Sequence, residues 1–128
     1  MFTIEHINDL PARLGSARTL PEYVQALKAL GVERYESYLA DGHSEYFGQG
    51  GHSVASPPVH EVLPVAETGQ RETFLQHLRR HEQGQTTYFE MSKGLAQSGI
   101  EKWTVDTGRT TMTFYDKAGR EMLVEQIS

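Results

Sequence analysis

The feature that most constrains the fold of this chain is an internal repeat. An offset of 68 positions carries Thr19 onto Thr87 and Gly31 onto Gly99. Between positions 19 and 54 the aligned copies share six identities in 36 positions, where ordinary residue usage predicts roughly two. The matched residues are helix caps, closing glycines and turn glycines, in the order that one supersecondary unit needs. We therefore expect two copies of one unit.

In the first copy, residues 1–66, the pattern predicts helix, helix, strand, strand, strand. A capping box at Thr19 and Glu22 starts the second helix, and Gly31 can end it. The first helix is predicted from apolar residues at helical spacing, which are Ile4, Ile7, Leu10 and Leu14. We expect it to end at Gly15.

After Gly31 the period changes to two, which is typical of a strand. Asp41-Gly42 predicts a two-residue hairpin turn with both residues at positive φ. The returning strands are expected at 43–47 and 52–55. Pro57 and Pro58 then interrupt pairing, and a short edge strand is expected within the connector 59–65.

The second copy, residues 67–128, repeats this order with a capping box at Thr87 and Glu90. Gly94 inside its second helix indicates close packing of another element. Its strands are expected at 100–106, 110–115 and 120–127.

Neither half is large enough to bury both faces of its own elements. We expect one domain, residues 1–128, in which the halves share a core around a pseudo-two-fold axis. The fold class is α+β: a duplicated helix-helix-strand-strand-strand unit, with antiparallel sheets and helices packed on one face.

Composition removes several classes of function. The 128 residues include no cysteine, which excludes disulfides, zinc–thiolate sites and thiol catalysis. The net charge of −5 argues against nucleic-acid binding, and no apolar run is long enough for a membrane span. The N-terminus lacks the basic and apolar regions of a signal peptide. We expect a cytoplasmic protein with neither a nucleic-acid nor a membrane partner.

Several motifs also resemble a family of uncharacterised bacterial and prophage proteins. They are DGHSEYFG from Asp41, SPP from Ser56, SGIEKW from Ser98, YDKAG from Tyr115 and LVEQI from Leu123. They are similar to the YdfO-like, or "phage envelope protein", family over nearly the whole chain. The resemblance implies a duplicated α+β fold and no known activity, ligand or catalytic residue. Relatives often have cysteines in the helix equivalent to FEMSKGLA, where this chain has Met91 and Ser92.

Two glutamates are the candidates for catalysis. Glu33 and Glu101 occupy equivalent positions near the start of a strand, and Tyr35 and Trp103 follow two residues later. If the two strands meet at the axis, the carboxylates would face each other, and repulsion would raise one pKa as acid–base catalysis needs. The alternative, which we favour, is that each glutamate pairs with a neighbouring basic residue.

Histidines form the second group of candidates. His43, His52 and His60 surround glycine-rich and proline-rich turns, with Glu45 and Glu61 nearby. The set lacks a compact ligand motif, so no metal is expected. His77 and His81 are four residues apart on a helix without an intervening HExxH glutamate, and this indicates a solvated face.

Aromatic residues are numerous on the predicted strands. They would form either a groove for a flat ligand or, as we favour, cross-strand pairs and core. They are Tyr35, Tyr38, Tyr46, Phe47, Trp103, Phe114 and Tyr115.

These patterns predict a binding or protein-interaction module, with a protein partner or a homodimer formed through an exposed sheet edge. No catalytic residue or cofactor is assigned. The alternative is a small-ligand-binding protein or enzyme that uses the two carboxylates and the strand aromatics. The ligand-binding candidates are Glu33, Tyr35, His43, Tyr46, Glu101 and Trp103.

Overall fold

The computed structural model describes residues 2–8, 20–58 and 60–127 of the chain. These residues form a mixed α+β fold, as the sequence predicts. The helices are α1 (Ile4–Asn8), α2 (Leu20–Leu30), α3 (Arg71–Glu82) and α4 (Tyr88–Gln97). The strands are β1 (Arg34–Tyr38), β2 (Ser44–Phe47), β3 (Ser53–Ala55), β4 (Ile100–Asp106), β5 (Thr111–Asp116) and β6 (Glu121–Gln126).

All six strands belong to one antiparallel sheet in the order β3-β2-β1-β4-β5-β6. Four of the five pairings join strands that are consecutive in sequence. The fifth pairs β1 with β4 at the centre, with Arg34 opposite Asp106 and Tyr38 opposite Lys102. One continuous sheet therefore joins the two halves of the described chain.

The described helices supply their apolar side chains to one face of this sheet. Val24 and Leu27 of α2, and Phe74 of α3, are fully buried there. From the strands, the same core receives alternate residues, as a period of two requires. These strand residues are Tyr35, Tyr46, Trp103, Val105 and Phe114.

Local signals place the helix ends correctly. The Thr87 hydroxyl accepts a hydrogen bond from the backbone amide of Glu90 at 3.1 Å, and the Glu90 carboxylate accepts one from the backbone amide of Thr87 at 2.9 Å. This confirms the second capping box. Gly31 and Gly99 follow α2 and α4 at φ of 98° and 89°, a conformation that suits glycine. The predicted cap Thr19 and helix stop Gly15 lie outside the described residues.

Gly94 confirms the expected close approach within the helix layer. A Cβ added there would lie 2.5 Å from Nδ1 of His77 on α3. The glycine therefore lets α3 and α4 approach each other.

Two local predictions are wrong. The described part of the connector, residues 60–65, contains no strand. Individual amides of this segment donate hydrogen bonds to carbonyl groups instead; for example, Leu63 N donates to Ala40 O at 2.6 Å. The first hairpin turn is longer than two residues, because Gly42 N donates to Tyr38 O and Tyr38 N to His43 O. Gly42 has positive φ, but Asp41 does not.

Candidate functional site

The sheet face opposite the helices carries a cluster of charged and aromatic side chains. They come from β1, β2 and β4 and from the turn after β1. Residues adjacent in sequence to the core residues point to this face, since side chains alternate along a strand. We call the set formed by Glu36, Tyr38, Asp41, His43, Glu45, Lys102 and Thr104 the polar cluster.

At the centre of the polar cluster, Glu36 lies directly opposite Glu45 on β2 and Thr104 on β4. Two carboxylates in directly opposed positions repel each other. Lys102 Nζ lies 2.8 Å from Glu36 Oε2, which also accepts the hydroxyl of Thr104 at 3.1 Å. The carboxylate of Glu36 is therefore compensated by groups from β4.

The charge states follow from these contacts. Burial acts to raise the pKa of Glu36, but the hydrogen bond and positive charge of Lys102 outweigh it, and the pKa lies below its usual range. The same hydrogen bond raises the pKa of Lys102. Its ammonium also lies 5.8 Å and 5.6 Å from the ring centres of Tyr38 and Tyr115, where ring electrons attract a cation.

The second carboxylate, Glu45, is compensated by His43. Its Oε2 lies 3.0 Å from Nε2 of His43, whose Nδ1 lies 2.6 Å from Oδ1 of Asp41. The imidazole also stacks on the Tyr38 ring at 4.5 Å with an interplanar angle of 4°. Two strands and a turn thus fix the orientation of the His43 ring.

This clamp favours the imidazolium form. Burial acts to lower the pKa of His43, but hydrogen bonds to Asp41 and Glu45 outweigh it and raise the pKa. Burial raises the pKa of Tyr38, and the charges of Glu36 and Glu45 add to the effect. Both ring nitrogens of His43 face carboxylates, so neither offers a lone pair to a metal or to a substrate proton.

The remaining histidines are dispersed. His52 Nε2 bonds Phe2 O at 2.8 Å, His60 Nδ1 bonds Glu61 O at 2.7 Å, and His81 Nδ1 lies 3.2 Å from Thr86 O. Across residues 2–8, 20–58 and 60–127, no group of three or more His, Asp or Glu side chains has the geometry to hold a metal ion. His77 packs against Gly94, so the helical pair is not simply a solvated face.

Three of the predicted ligand-binding aromatics lie in the core instead. Tyr35, Tyr46 and Trp103 are 5%, 7% and 6% exposed. Tyr35 packs on Tyr46 with ring centres 5.4 Å apart, and Trp103 lies 6.0 Å from Phe114. Their positions match the core-packing alternative.

The structure does not bring Glu33 and Glu101 together, although the hypothesis of acid–base catalysis required it. Within the described residues neither glutamate belongs to an ion pair, so the favoured pairing with a neighbouring basic residue is not seen either. The register sets Arg34, just after Glu33, opposite Asp106 at the far end of β4, while Glu101 O accepts the amide of Leu39 beyond the other end of β1. At about 3.3 Å per residue, the two carboxylates are separated by roughly the length of the strands. Antiparallel pairing places the starts of two strands at opposite ends.

The six predicted ligand-binding residues therefore do not form one site. Only His43 belongs to the polar cluster. Sequence reasoning did not select Glu36, Lys102 or Thr104 as site residues and placed Tyr38 only among the strand aromatics. Strand alternation nevertheless indicates that Glu36 and Tyr38 share a face opposite Tyr35. It gave no means of knowing which face the helices leave open.

These features define a class of protein: a small α+β protein whose six-stranded antiparallel sheet carries helices on one face and a polar cluster on the other. The chain belongs to the family described as "Protein of unknown function (DUF1398)", whose model matches residues 10–126. No curated protein matches the chain. Within the described ranges, no helix is long and apolar enough to cross a membrane.

Proposed function

We propose that this protein is a protein-binding module that holds a basic surface of its partner on the sheet face that carries the polar cluster. None of the described helices packs on this face, which we call the helix-free face. The observation that carries the proposal is the pair of opposed carboxylates, Glu36 and Glu45, on that face. Directly opposed like charges destabilise a sheet, so their presence here indicates a role other than stabilising the fold.

The sign of the charge on this face selects the chemistry of the partner. The polar cluster contains three carboxylates, those of Glu36, Asp41 and Glu45, against two cations, Lys102 and the imidazolium of His43, so negative charge is in excess by one. The whole chain carries a net charge of −5. A basic partner is attracted by both charges, whereas a second copy of the chain is repelled.

The dimensions of the face also favour a protein partner. Six strands at a spacing of about 4.8 Å, with about five residues each on average, make a face of roughly 25 by 17 Å. An area of this size matches the footprint of a small, transient protein interface. A small molecule is usually held in a concave site instead.

The pKa shifts of the polar cluster argue against catalysis. Those of Glu36 and Asp41 are lowered, and those of His43 and Lys102 are raised. These four shifts stabilise the charged forms, as in a structural network of ion pairs, and the raised pKa of Tyr38 keeps its phenol neutral. A general acid or base would instead exchange its proton readily near the working pH.

A homodimer formed through a sheet edge is the competing arrangement, and both outer strands disfavour it. β3 is three residues long and precedes Pro57 and Pro58. The pairing of β6 with β5 contains an irregularity next to Phe114, and Glu125 lies at the edge opposite Met112. Short strands, prolines, bulges and inward-facing charges all hinder edge-to-edge pairing.

We also propose that residues 1–66 and 67–128 are copies of one unit. At the offset of 68, Tyr35 and Tyr46 correspond to Trp103 and Phe114. Both pairs are cross-strand partners, in β1–β2 and in β4–β5.

The register at the sheet centre supports a pseudo-two-fold axis. Glu36 lies opposite Thr104, which is its own equivalent at the offset of 68. Where a two-fold axis passes between two antiparallel strands, a residue of one strand lies opposite the equivalent residue of the other strand. A bacterial or prophage origin, taken from the YdfO-like resemblance, and a cytoplasmic location, taken from the composition, are part of the same proposal.

A site-specific photo-crosslinker tests the binding face. A photo-crosslinker at Thr113, on the helix-free face, should react with a partner protein. The crosslinked partner peptides should be rich in lysine and arginine, and the crosslinking yield should fall as the salt concentration is raised. The same group at Lys93, exposed on α4, is the positional control. Glu45→Gln should reduce capture at Thr113, while the equal charge change Glu72→Gln on α3 should not.

Four results would overturn the proposal. They are no crosslink at Thr113, equal crosslinking at both positions, a crosslink only to a second copy of the chain, or partner peptides that are predominantly acidic.

A further inference from the structure

A cavity of about 710 Å³ lies at the end of the sheet where β1 begins and β4 ends. Its walls come from the end of α2, the start of β1 and the turn after β4, with Phe2 and His52 on one side. Its volume falls within the range of about 300–1,000 Å³ that is usual for small-molecule sites. It is separate from the polar cluster, none of whose members lines it.

Four charged side chains line this cavity: Lys28, Glu33, Arg34 and Asp106. Within the described part of the chain, none of them belongs to an ion pair. Arg34 and Asp106 are cross-strand neighbours, yet the guanidinium of Arg34 lies over the Phe47 ring, 4.1 Å from its centre. Two positive and two negative groups thus line one space without forming direct ion pairs with one another.

The charged groups differ in how far they are already engaged. Oδ1 of Asp106 accepts the amides of Gly108 and Arg109, both at 2.9 Å, which fixes the orientation of this carboxylate. Lys28 and Glu33 are exposed, so both can move toward a ligand. The negative end of the α2 dipole also lies at this wall and favours a bound cation.

One wall of the cavity is apolar. Phe2 is 3% exposed and meets His52 edge to face, with ring centres 4.6 Å apart. Val32, 1% exposed, and Leu30 extend this wall. An apolar wall beside charges of both signs suits a molecule with a hydrocarbon part and a charged head group.

We propose that this cavity binds a small zwitterion, a free amino acid or a short peptide with an apolar side chain. Lys28 and Arg34 bind its carboxylate, Glu33 and Asp106 bind its ammonium group, and Leu30, which is partly exposed, contacts its side chain in front of the buried ring of Phe2. The two carboxylates repel a simple anion and the two cations repel a simple amine, whereas a zwitterion offers an opposite charge to both pairs. This site is independent of the protein-binding face.

Titration with a matched set of three probes tests the inference. L-phenylalanine should bind the wild-type chain about tenfold or more tightly than 3-phenylpropanoate, which lacks the amine, or phenethylamine, which lacks the carboxylate. Amide chemical shifts should move at Gly31 and Gly108 beside the cavity. Dipeptides of leucine and phenylalanine extend the same series.

Two exposed substitutions separate the charged contacts. Lys28→Gln should weaken the binding of L-phenylalanine and 3-phenylpropanoate but leave the binding of phenethylamine unchanged. Glu33→Gln should weaken the binding of L-phenylalanine and phenethylamine but leave that of 3-phenylpropanoate unchanged. Lys93→Gln and Glu72→Gln are the matched controls. The inference is overturned if no amino acid or dipeptide binds, if the analogues bind as well as the zwitterion, or if the control substitutions weaken binding equally. None of these results bears on crosslinking at Thr113.

Discussion

The two faces of the central sheet are built from alternate residues of the same strands, yet they have opposite chemistry. Phe114 is 1% exposed and packs against Phe74 and Trp103 under the helices. Its neighbour Tyr115 points to the helix-free face, beside Lys102. The helix-covered face stabilises the fold through burial, whereas the helix-free face holds charges in fixed positions. Neighbouring residues of one strand therefore serve different purposes.

The largest test of this contrast compares two adjacent residues. Phe114→Ala should lower the free energy of unfolding by about 3–5 kcal/mol, because it opens a cavity in the core. Tyr115→Ala should cost about 1 kcal/mol or less, because that ring is only partly covered. Urea unfolding of both variants measures the difference, and equal losses would contradict the assignment of the two faces.

The second test concerns the tightness of the helix layer. An alanine normally stabilises a helix by about 1 kcal/mol relative to glycine, but Gly94→Ala should destabilise by about 1–3 kcal/mol because its Cβ meets His77. The double variant Gly94→Ala/His77→Ala should recover the loss. Thermal unfolding of the single and double variants checks this, and a stabilised Gly94→Ala protein would show that α3 and α4 have room to spare.

The third test removes one cation from the polar cluster. Lys102→Met should cost about 1–2 kcal/mol, because it leaves Glu36 uncompensated opposite Glu45. Lys93→Met on the outer surface is the control and should have little effect. A double-mutant cycle with Glu36→Gln isolates the coupling of the pair. Zero coupling would show that the ion pair contributes nothing to the fold.

The fourth test uses pH. Because the pKa of His43 is raised in the folded protein, its stabilisation is fully present below the unfolded pKa and is lost as pH rises through the folded value. The pKa of Asp41 is lowered, so its contribution is present above its unfolded pKa and is lost as pH falls through the folded value. Unfolding free energies between about pH 6 and pH 9 should decline for the wild type and change less for His43→Gln.

The smallest effect is expected at the sheet edge. Burial and the nearby charge of Glu82 raise the pKa of Glu125, so folding favours its protonated form and loses stability as pH rises through the folded pKa. Glu125→Gln should therefore stabilise the protein slightly at neutral pH, by about 0.5 kcal/mol or less given solvent screening. The gain should vanish in acid. A loss of stability at neutral pH would contradict this account of the edge.

Much of the fold was accessible from sequence because its signals are local. The capping box at Thr87, the closing glycines and the alternation of the strands depend on residues within a few positions of one another. The hairpin pairing of Trp103 with Phe114 also follows from one short connection. In contrast, the connector 59–65 was expected to contain a short edge strand, but in its described part, residues 60–65, only individual amides find partners. That outcome depends on the surroundings of the segment.

The candidate site was harder to predict because it depends on pairing between distant strands. Glu33 and Glu101 occupy equivalent positions in sequence, but the antiparallel direction of β1 and β4 separates them. The same pairing brings Lys102 to Glu36, which are 66 positions apart. No local pattern encodes that contact. The choice of face depends likewise on where α2, α3 and α4 pack, which strand periodicity does not specify.

The central pairing of β1 with β4 also affects the order in which the chain can assemble. The other four pairings join strands that are consecutive in sequence, whereas the second edge of β1 must wait for a strand that the ribosome makes more than 60 residues later. Loop closure over such a distance is slow compared with hairpin formation. During synthesis, the N-terminal hairpins therefore present an open strand edge at β1. The protein is most vulnerable to aggregation in that interval, before β4 covers the edge.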